Sequence, residues 1–231
     1  MKAILLAGGK GTRLLPYTTV IPKPLVPVGD KAVLEILIGR LKKAGVTDIT
    51  LCVNHLAELI MAYFGDGKKW GVKISYSLEA KPLHTVGPLK LLSGLPEDFL
   101  VMNGDLLTDL DFKELFEYHI LNKSLLTLAT YKRTEKIDLG VIEIDEKKLT
   151  ATGFREKPEM NFNVSMGVYV LNKKVLDFVP GDTFFGFDDL MHTLLEREQT
   201  IKTFPFEGYW LDIGRPDDYE RANNDIKKLD L

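Results

Sequence analysis

Short, almost continuously apolar runs alternate with amphipathic stretches along the first hundred residues of the chain. Runs of this length and composition are typical of strands buried on both faces of a sheet. The predicted strands are residues 2–7, 48–54, 72–78 and 99–103. The stretches between them, which place apolar residues at helical spacing or end in glycine, are residues 32–45, 56–67 and 85–94. This alternation predicts an α/β fold of Rossmann-like type, with a mostly parallel sheet covered by helices on both faces.

The pattern changes at about residue 125, where short strands are linked by turns. The predicted strands here are residues 125–132, 140–145, 149–156 and 165–171, with a hairpin connection at 145–148. Helices are predicted at 188–198 and 216–229, the second with Pro216 in its first turn. This half either extends the first sheet or forms a second, mixed one. No repeat or linker-like composition interrupts the chain, so a single domain over 1–231 is predicted.

Three predicted loops follow strands of the first half. Residues 8–19, 79–84 and 104–110 all leave the carboxyl ends of parallel strands. Ligands of open α/β sheets bind at that edge, so candidate functional residues are sought in these loops.

Composition and charge restrict the classes of partner. The chain has 231 residues, is 45% hydrophobic, and balances 30 Lys+Arg against 33 Asp+Glu. With no net positive field, nucleic acid is not an expected partner, and an anionic ligand must be held by local geometry. The lone Cys52 predicts a buried thiol in a reducing compartment, hence a cytoplasmic location. No apolar run is long enough for a membrane span or a signal peptide, so no membrane association is expected.

The opening loop combines bare backbone with two cations. Gly8, Gly9 and Gly11 follow the first strand directly and leave backbone N–H groups uncovered, which suits a loop around phosphates. Three glycines alone fit a tight turn equally well, and the spacing matches neither a dinucleotide-binding fingerprint nor a Walker A loop. Arg13 and Lys23 favour the phosphate interpretation, because an arginine fork and a lysine point charge together match a polyphosphate.

This stretch, "LLAGGKGTRLLPYT…IPKPLVPV", resembles the signature of the sugar-1-phosphate nucleotidyltransferases. Later segments continue the resemblance in order: "VMNGDLL", "DLGVIEID", "FREKP", "SMGVYVL" and "YWLDIGRPDDY". It extends from residue 1 to about 222, without the C-terminal β-helix that some members carry. It implies that a nucleoside triphosphate and a sugar 1-phosphate condense with Mg²⁺ to a nucleotide sugar and pyrophosphate. Residues 1–124 would form the nucleotide-binding half and 125–231 the sugar-binding half, and a homodimer is left open.

The resemblance also implies roles for individual residues. Arg13 and Lys23 would be catalytic, stabilising charge on the phosphates during transfer. The implied nucleotide-binding residues are Leu6, Ala7, Gly8, Gly9, Gly11, Thr12, Glu79, His84 and Asn103. The implied sugar-phosphate-binding residues are Gly140, Glu156, Lys157 and Ser165. For the segment around Lys157, a surface ion pair among Arg155, Glu156 and Lys157 is the alternative.

Two aspartates are the candidate metal ligands. Asp105 follows an apolar strand and a glycine, whereas Asp212 lies between Leu211 and Ile213, where a carboxylate is costly unless it is paired. Two carboxylates suffice for Mg²⁺, because the ion retains waters. Taken singly, each has an ordinary alternative: a turn for Asp105 and a backbone-bonded strand end for Asp212.

The sequence departs from the family pattern in two places. His84, in "PLHTVGPL", replaces a glycine whose backbone lies against the nucleobase, so its side chain must turn outward or stack on the base. Because only backbone is required there, the outward orientation is favoured. Ser165 begins Ser-Met-Gly where many relatives read Asn-Ala-Gly, which weakens the expectation of one sugar contact.

Several functions fit these residues. The base loop is closest to guanylyltransferases acting on mannose or heptose 1-phosphate, which favours GTP; uridylyl- and thymidylyltransferases are near in pattern. A non-catalytic relative that binds nucleotide sugars is a second class, although it would not need the aspartate pair. A glycosyltransferase would leave the Gly-rich loop and the Pro-Lys-Pro cation unexplained.

Overall fold

The computed structural model describes residues 1–229, which form thirteen strands and five α-helices. The strands are β1 Lys2–Leu6, β2 Pro27–Val28, β3 Lys31–Ala32, β4 Asp48–Val53, β5 Lys73–Leu78, β6 Asp98–Asn103, β7 Leu106–Thr108, β8 Leu126–Lys136, β9 Val141–Asp145, β10 Thr150–Arg155, β11 Glu159–Asn172, β12 Ile201–Phe206 and β13 Trp210–Asp212. The α-helices are α1 Val33–Lys43, α2 Ala57–Phe64, α3 Phe112–Asn122, α4 Phe187–Glu196 and α5 Pro216–Asp225.

The central sheet has seven strands in the order β12-β8-β11-β6-β1-β4-β5. Strands β6, β1, β4 and β5 are parallel, β11 runs antiparallel to both of its neighbours, and β12 is parallel to β8. The predicted mixed, mostly parallel α/β sheet is therefore confirmed. Most of the second half extends the first sheet, while β9 and β10 pair separately as a hairpin.

Helices cover the two faces of the sheet unequally. One core cluster packs α1, α2 and α3 on one face, with Leu37, Ile60 and Leu115 fully buried. A second cluster packs α4 and two 3₁₀ segments on the other face, around Val101 and Leu190. Among residues 1–229, no helix is both long and apolar enough to cross a membrane.

A third, smaller core fixes the opening loop. Leu14 and Val26 from this loop pack with Val33 at the start of α1, with Leu107 and with Leu211. The loop is thus held between α1 and the short antiparallel pair β7–β13. This packing determines where Arg13 and Lys23 are placed.

Several elements differ from the sequence predictions, and strands β2, β3 and β12 were not predicted at all. Helix α3 was not predicted, although Asp111 caps it by accepting hydrogen bonds from the amides of Lys113 and Glu114, a recognisable start signal. The predicted loop 104–110 contains β7, whose partner is distant in sequence and hence invisible to local patterns. The predicted helix 85–94 is a 3₁₀ segment, Gly87–Leu91, in which Pro88 lacks a backbone donor.

Strands β8 and β11 continue beyond the sheet as a two-stranded arm. Their pairing runs from Leu126 and Leu171 out to Lys136 and Glu159, and the β9–β10 hairpin follows in the chain between them.

The buried Cys52 lies in β4 at the opposite side of the sheet, and burial, together with the charge of Glu79, raises the pKa of its thiol to about 12. The predicted buried strand thiol is confirmed.

Candidate functional site

A cavity of about 550 Å³ opens at the carboxyl ends of β1, β4 and β6. Its wall is formed by the opening loop, by the loop after β5 and by the residues that follow β6. The predicted site residues in the lining are Leu6, Ala7, Gly8, Gly9, Lys23, Glu79, His84, Asn103 and Asp105. Residues from three separate predicted loops thus meet at one edge of the sheet, as expected for parallel strands.

The opening loop turns sharply at Gly11. Its φ of 63° lies in the left-handed region, and a Cβ there would stand 2.8 Å from Cγ2 of Thr18. The Thr18 hydroxyl donates a hydrogen bond to the Gly11 carbonyl at 2.8 Å, which fastens the turn. Thr12 and Arg13 follow in a 3₁₀ turn whose buried residue is Leu14, so the Arg13 side chain is left on the exposed side.

Lys23 lies between the two candidate metal ligands. Its ammonium group donates a hydrogen bond to Oδ2 of Asp105 and lies 3.7 Å from Oδ1 of Asp212. Pro22 and Pro24 are buried on either side of it, which stiffens the backbone that carries the lysine. The three charged groups come from three distant parts of the chain.

Each aspartate retains an unused oxygen. Oδ1 of Asp105 and Oδ1 of Asp212 are buried and have no hydrogen-bond partner among residues 1–229. Burial, followed by the neighbouring Asp105 carboxylate, raises the pKa of Asp212, while the charges of Lys23 and Arg13 oppose the shift. Two partly buried carboxylates therefore share one cation, and each keeps an oxygen without a hydrogen-bond donor. This arrangement favours the binding of a further positive charge between them.

Glu79 and Asn54 form the opposite end of the cavity. The Asn54 side-chain amide donates a hydrogen bond to the Glu79 carbonyl at 3.2 Å, and the Glu79 carboxylate accepts one from the amide of Leu83 at 3.0 Å. Burial raises the pKa of Glu79, against the opposing effect of the Leu83 hydrogen bond. The bare backbone of Gly8 lies beside them, since a Cβ there would stand 3.1 Å from Oε1 of Glu79.

His84 contributes an aromatic edge to this cavity. Its φ of 68° is left-handed, the conformation that glycine adopts most easily. The imidazole packs edge-on against Phe184, with ring centroids 4.7 Å apart, and its Nδ1 lies 3.1 Å from the Thr85 hydroxyl. Both rings line the cavity, and Phe184 is 62% exposed. The His84 side chain therefore forms part of the cavity wall.

Comparison with known proteins identifies this site's family. The sequence profile described as Nucleotidyl transferase matches residues 2–228. The chain belongs to the Nucleotidyl transferase family.

Named relatives cover nearly the whole length of this chain. It is 36% identical over 234 residues to a mannose-1-phosphate guanyltransferase of Yarrowia lipolytica and 36% identical over 227 residues to one of Saccharomyces cerevisiae. Each match covers 95% of this chain but only 62–63% of the relative. The chain thus spans less than two thirds of the length of these curated relatives.

Solved structures extend the comparison. HddC from Yersinia pseudotuberculosis, complexed with GMP-PN, aligns with a TM-score of 0.74 and 28% identity, over 97% of this chain and 99% of that one. A putative glucose-1-phosphate thymidylyltransferase from Bacillus anthracis aligns with a TM-score of 0.78 and 23% identity, over 100% of this chain and 97% of the other, and it supports the fold alone.

The four predicted sugar-phosphate residues line neither the main cavity nor the polar cleft described below. Three of them lie in the connections to the β9–β10 hairpin, whereas Ser165 lies in β11 opposite Thr130, within the central sheet. Lys157 forms a surface ion pair with Asp138 at 2.8 Å, a different partner from those in the alternative set of Arg155, Glu156 and Lys157. A Cβ on Gly140 would stand 3.3 Å from Oε2 of Glu156, so these two residues are neighbours. The Ser165 hydroxyl lies 3.0 Å from that of Tyr169. Their roles stay predictions.

Asn54 and Phe184 are two of the cavity residues that the sequence analysis did not single out as site residues. Asn54 follows β4 at the carboxyl edge, where its position after an apolar strand was the available signal. Phe184 leaves no comparable signal, because no local pattern distinguishes it from Phe187, which stacks on Tyr169. Backbone hydrogen bonds bring this segment to the cavity: the amide of Phe185 donates to the carbonyl of Leu83 at 3.1 Å, and its carbonyl accepts from the amides of Val86 and Gly87.

Proposed function

We propose that the chain transfers a nucleotidyl group, with GTP the favoured donor, to a sugar 1-phosphate of the mannose or heptose type. The observation that carries this proposal is the cluster of Lys23, Asp105 and Asp212 at the edge of a nucleotide-sized cavity. Family membership supports the reaction class, and the names of the relatives support the choice of sugar. The HddC structure with GMP-PN supports a guanine nucleotide.

The residues present fit a Mg²⁺ ion. Two buried carboxylate oxygens without donors, on Asp105 and Asp212, would hold it, because hard oxygen ligands suit Mg²⁺ and waters complete its shell. When bound, the ion neutralises phosphate charge and thereby lowers repulsion between the two anionic substrates.

The reaction requires positioning more than side-chain chemistry. A phosphate oxygen of the sugar 1-phosphate attacks the α-phosphorus of the triphosphate, and the bond from that phosphorus to the α,β-bridging oxygen breaks. Pyrophosphate leaves with the electron pair of the broken bond, so no protein nucleophile is needed. In this proposal Lys23 stabilises charge at the α-phosphorus and Arg13 stabilises charge on the leaving phosphates.

The base end of the cavity supports nucleotide recognition. The uncovered backbone of Gly8 and Gly9 leaves room for the nucleotide, and Glu79 and Asn54 supply polar atoms at the far wall. Residues 1–124 would then bind the nucleotide, and residues 125–231 would supply Glu156, Lys157 and the other sugar contacts. A cytoplasmic location belongs to this proposal and is supported by the single buried thiol.

The test is a pyrophosphate-release assay that combines four nucleoside triphosphates with a panel of sugar 1-phosphates. We expect Mg²⁺-dependent release that is fastest with GTP and mannose or heptose 1-phosphate. Faster turnover with UTP or dTTP would reassign the nucleotide. Nucleotide-sugar binding without turnover for any pair would make the chain a binding relative. Size-exclusion chromatography of the same protein tests the homodimer.

A further inference from the structure

A second, strongly polar cleft of about 580 Å³ begins where the proposed active site ends. It extends from Arg13 and Asp212 to the outer part of β8 and to the start of α5. Its cationic lining residues are Arg13, Lys132, Arg133, Arg215 and Arg221. A chain with a net charge of −3 thus concentrates five cations in one cleft beside its candidate catalytic residues.

Three acidic residues line the same cleft: Glu135, Asp218 and Asp212, the last of which belongs to the proposed metal pair. Glu135 pairs with Arg133. Asp218 accepts hydrogen bonds from the backbone amides of Gly214 and Arg215, at 3.2 and 2.9 Å, and so caps α5. Five cations thus face three carboxylates, so the cleft keeps an excess of positive charge.

Three of the cations have no such partner. Within the described part of the chain, no carboxylate lies within ion-pair distance of the side chains of Arg13, Lys132 or Arg215. By contrast, Arg221 pairs with Asp225 at 3.4 Å. Three unpaired cations in one concave surface repel one another. A multiply charged anion that binds among them offsets this repulsion.

Gly214 connects the candidate catalytic arginine to this cleft. A Cβ on Gly214 would stand 3.5 Å from the guanidinium carbon of Arg13 and from both of its terminal nitrogens, so the fork lies flat against the backbone next to Arg215. Asp212, two residues earlier, belongs both to the cleft and to the proposed metal pair. The cleft thus adjoins the position at which pyrophosphate would leave the α-phosphorus.

We propose that this cleft receives the pyrophosphate product, with Arg215 and Lys132 binding it beyond Arg13. Pyrophosphate carries several negative charges on two linked phosphates, so it offers more charge and more acceptor oxygens to a cleft with several cations than orthophosphate does. Each arginine fork can donate hydrogen bonds to two phosphate oxygens, and the flexible Lys132 supplies a further contact. This inference rests on the proposed nucleotidyl transfer, which generates that anion.

The test is calorimetric titration of inorganic pyrophosphate, with Mg²⁺ present, into the wild-type chain and the variants Lys132→Met and Arg215→Met. Matched controls are Lys174→Met and Arg197→Met, which remove exposed cations elsewhere on the surface. We expect the two cleft variants to bind pyrophosphate about 5-fold or more weakly, with both controls near wild type and orthophosphate much weaker throughout. Product inhibition by pyrophosphate should weaken in parallel, while the KM of the triphosphate changes less. Circular dichroism verifies the fold of each variant.

Each contrary outcome has a distinct meaning. Unchanged pyrophosphate affinity in both cleft variants overturns the inference even if transfer activity is intact. Orthophosphate that binds as tightly as pyrophosphate would reduce the cleft to a general anion site, and a loss confined to mannose 1-phosphate affinity would assign it to the sugar substrate; both outcomes overturn the inference. Because the titration needs no turnover, cation-dependent pyrophosphate binding in a chain without transferase activity would refute the proposed function and leave the binding site standing.

Discussion

Asp105 and Asp212, from opposite halves of the sequence, are held side by side by one short strand pair. Asp212 ends β13 opposite Leu106, the first residue of β7, and Asp105 directly precedes that residue. The amide of Ile213 also donates a hydrogen bond to the Asp105 carbonyl at 3.2 Å. Two like charges are thereby fixed close together by backbone pairing, with Lys23 as their only cation within ion-pair distance among residues 1–229. Holding two carboxylates together lowers the stability of the fold. A functional role therefore explains the pair better than a contribution to folding does.

The aspartate pair gives the first prediction. Asp105→Asn and Asp212→Asn keep side-chain shape and remove charge, so we expect folded proteins whose turnover falls about 10²–10³-fold. Asp66→Asn, which alters an exposed ion pair with Lys68, should retain wild-type turnover. Pyrophosphate release and Mg²⁺ titration measure both effects. Full Mg²⁺-dependent activity in either variant would remove that aspartate from the proposed metal pair.

Arg13 and Lys23 should act on the transition state more than on the bound substrate. If they meet charge that develops during transfer, Arg13→Met and Lys23→Met lower kcat more than they raise the KM of the triphosphate. Lys31→Met, an exposed substitution on β3, is the matched control. Steady-state kinetics with varied triphosphate measures the split. A change confined to KM would make these two cations binding residues only.

His84 should affect base selection because its ring lines the cavity beside Phe184. His84→Gly removes the ring and suits the left-handed φ, whereas His84→Asn removes the ring while retaining a side chain that tolerates that φ. We expect both variants to change the ratio of kcat/KM between GTP and UTP by about threefold or more. An unaltered ratio in both would place the ring outside base recognition, and a change in sugar preference would mean that this loop does not contact the base.

Gly11 and Gly9 form a matched pair for the opening loop. Gly11→Ala combines a left-handed φ of 63° with a Cβ only 2.8 Å from Thr18, so we expect the free energy of unfolding to fall by about 1–3 kcal/mol. Apart from its chain neighbours, no atom of residues 1–229 lies within 4 Å of the Cβ that Gly9→Ala would add, so this substitution should change the free energy of unfolding by less than about 0.5 kcal/mol. Denaturant titration measures both. Equal effects would show that the turn does not depend on glycine at 11.

His119 predicts how stability depends on pH. It is fully buried, with Nδ1 2.8 Å from the Thr127 hydroxyl and Nε2 3.3 Å from Oδ1 of Asp98, and burial lowers its pKa despite the opposing effect of Asp98. The unfolded chain therefore binds more protons as pH falls below about 6.5, so stability is lost from there downward, until pH passes the lower folded pKa. His119→Gln should remove this part of the slope.

Denaturant titrations from pH 5 to 8 measure that slope, and Thr193→Val, on the surface helix α4, serves as a control substitution outside this network. A slope that is identical in wild type and His119→Gln would mean that the histidine does not titrate on unfolding. Lower overall stability of His119→Gln does not affect the comparison, because the slope and not the absolute value is the readout.

Local patterns explain the sequence predictions that succeeded. Strands β1, β4 and β6 are short apolar runs bounded by polar or glycine residues, and burial on both faces makes such runs recognisable from the sequence without knowledge of their partners. Strand β7 was not predicted, because it has three residues and pairs with β13, which is distant in the sequence. Helix α3 was missed although its Asp111 cap is visible in the sequence, so that omission was one of interpretation and not of information.

The α/β order of elements, the edge at which loops converge, and the candidate residues for phosphate and metal chemistry follow from the sequence alone, because each depends on periodicity or on side-chain chemistry within a few neighbours. The folded chain was needed to show that Lys23 lies between Asp105 and Asp212, that Phe184 joins the cavity, and that Lys132 of β8 and Arg215, just before α5, line one cleft with Arg13. These relationships come from long-range packing, above all the small core of Leu14, Leu107 and Leu211, whose contacts leave no local pattern in the chain.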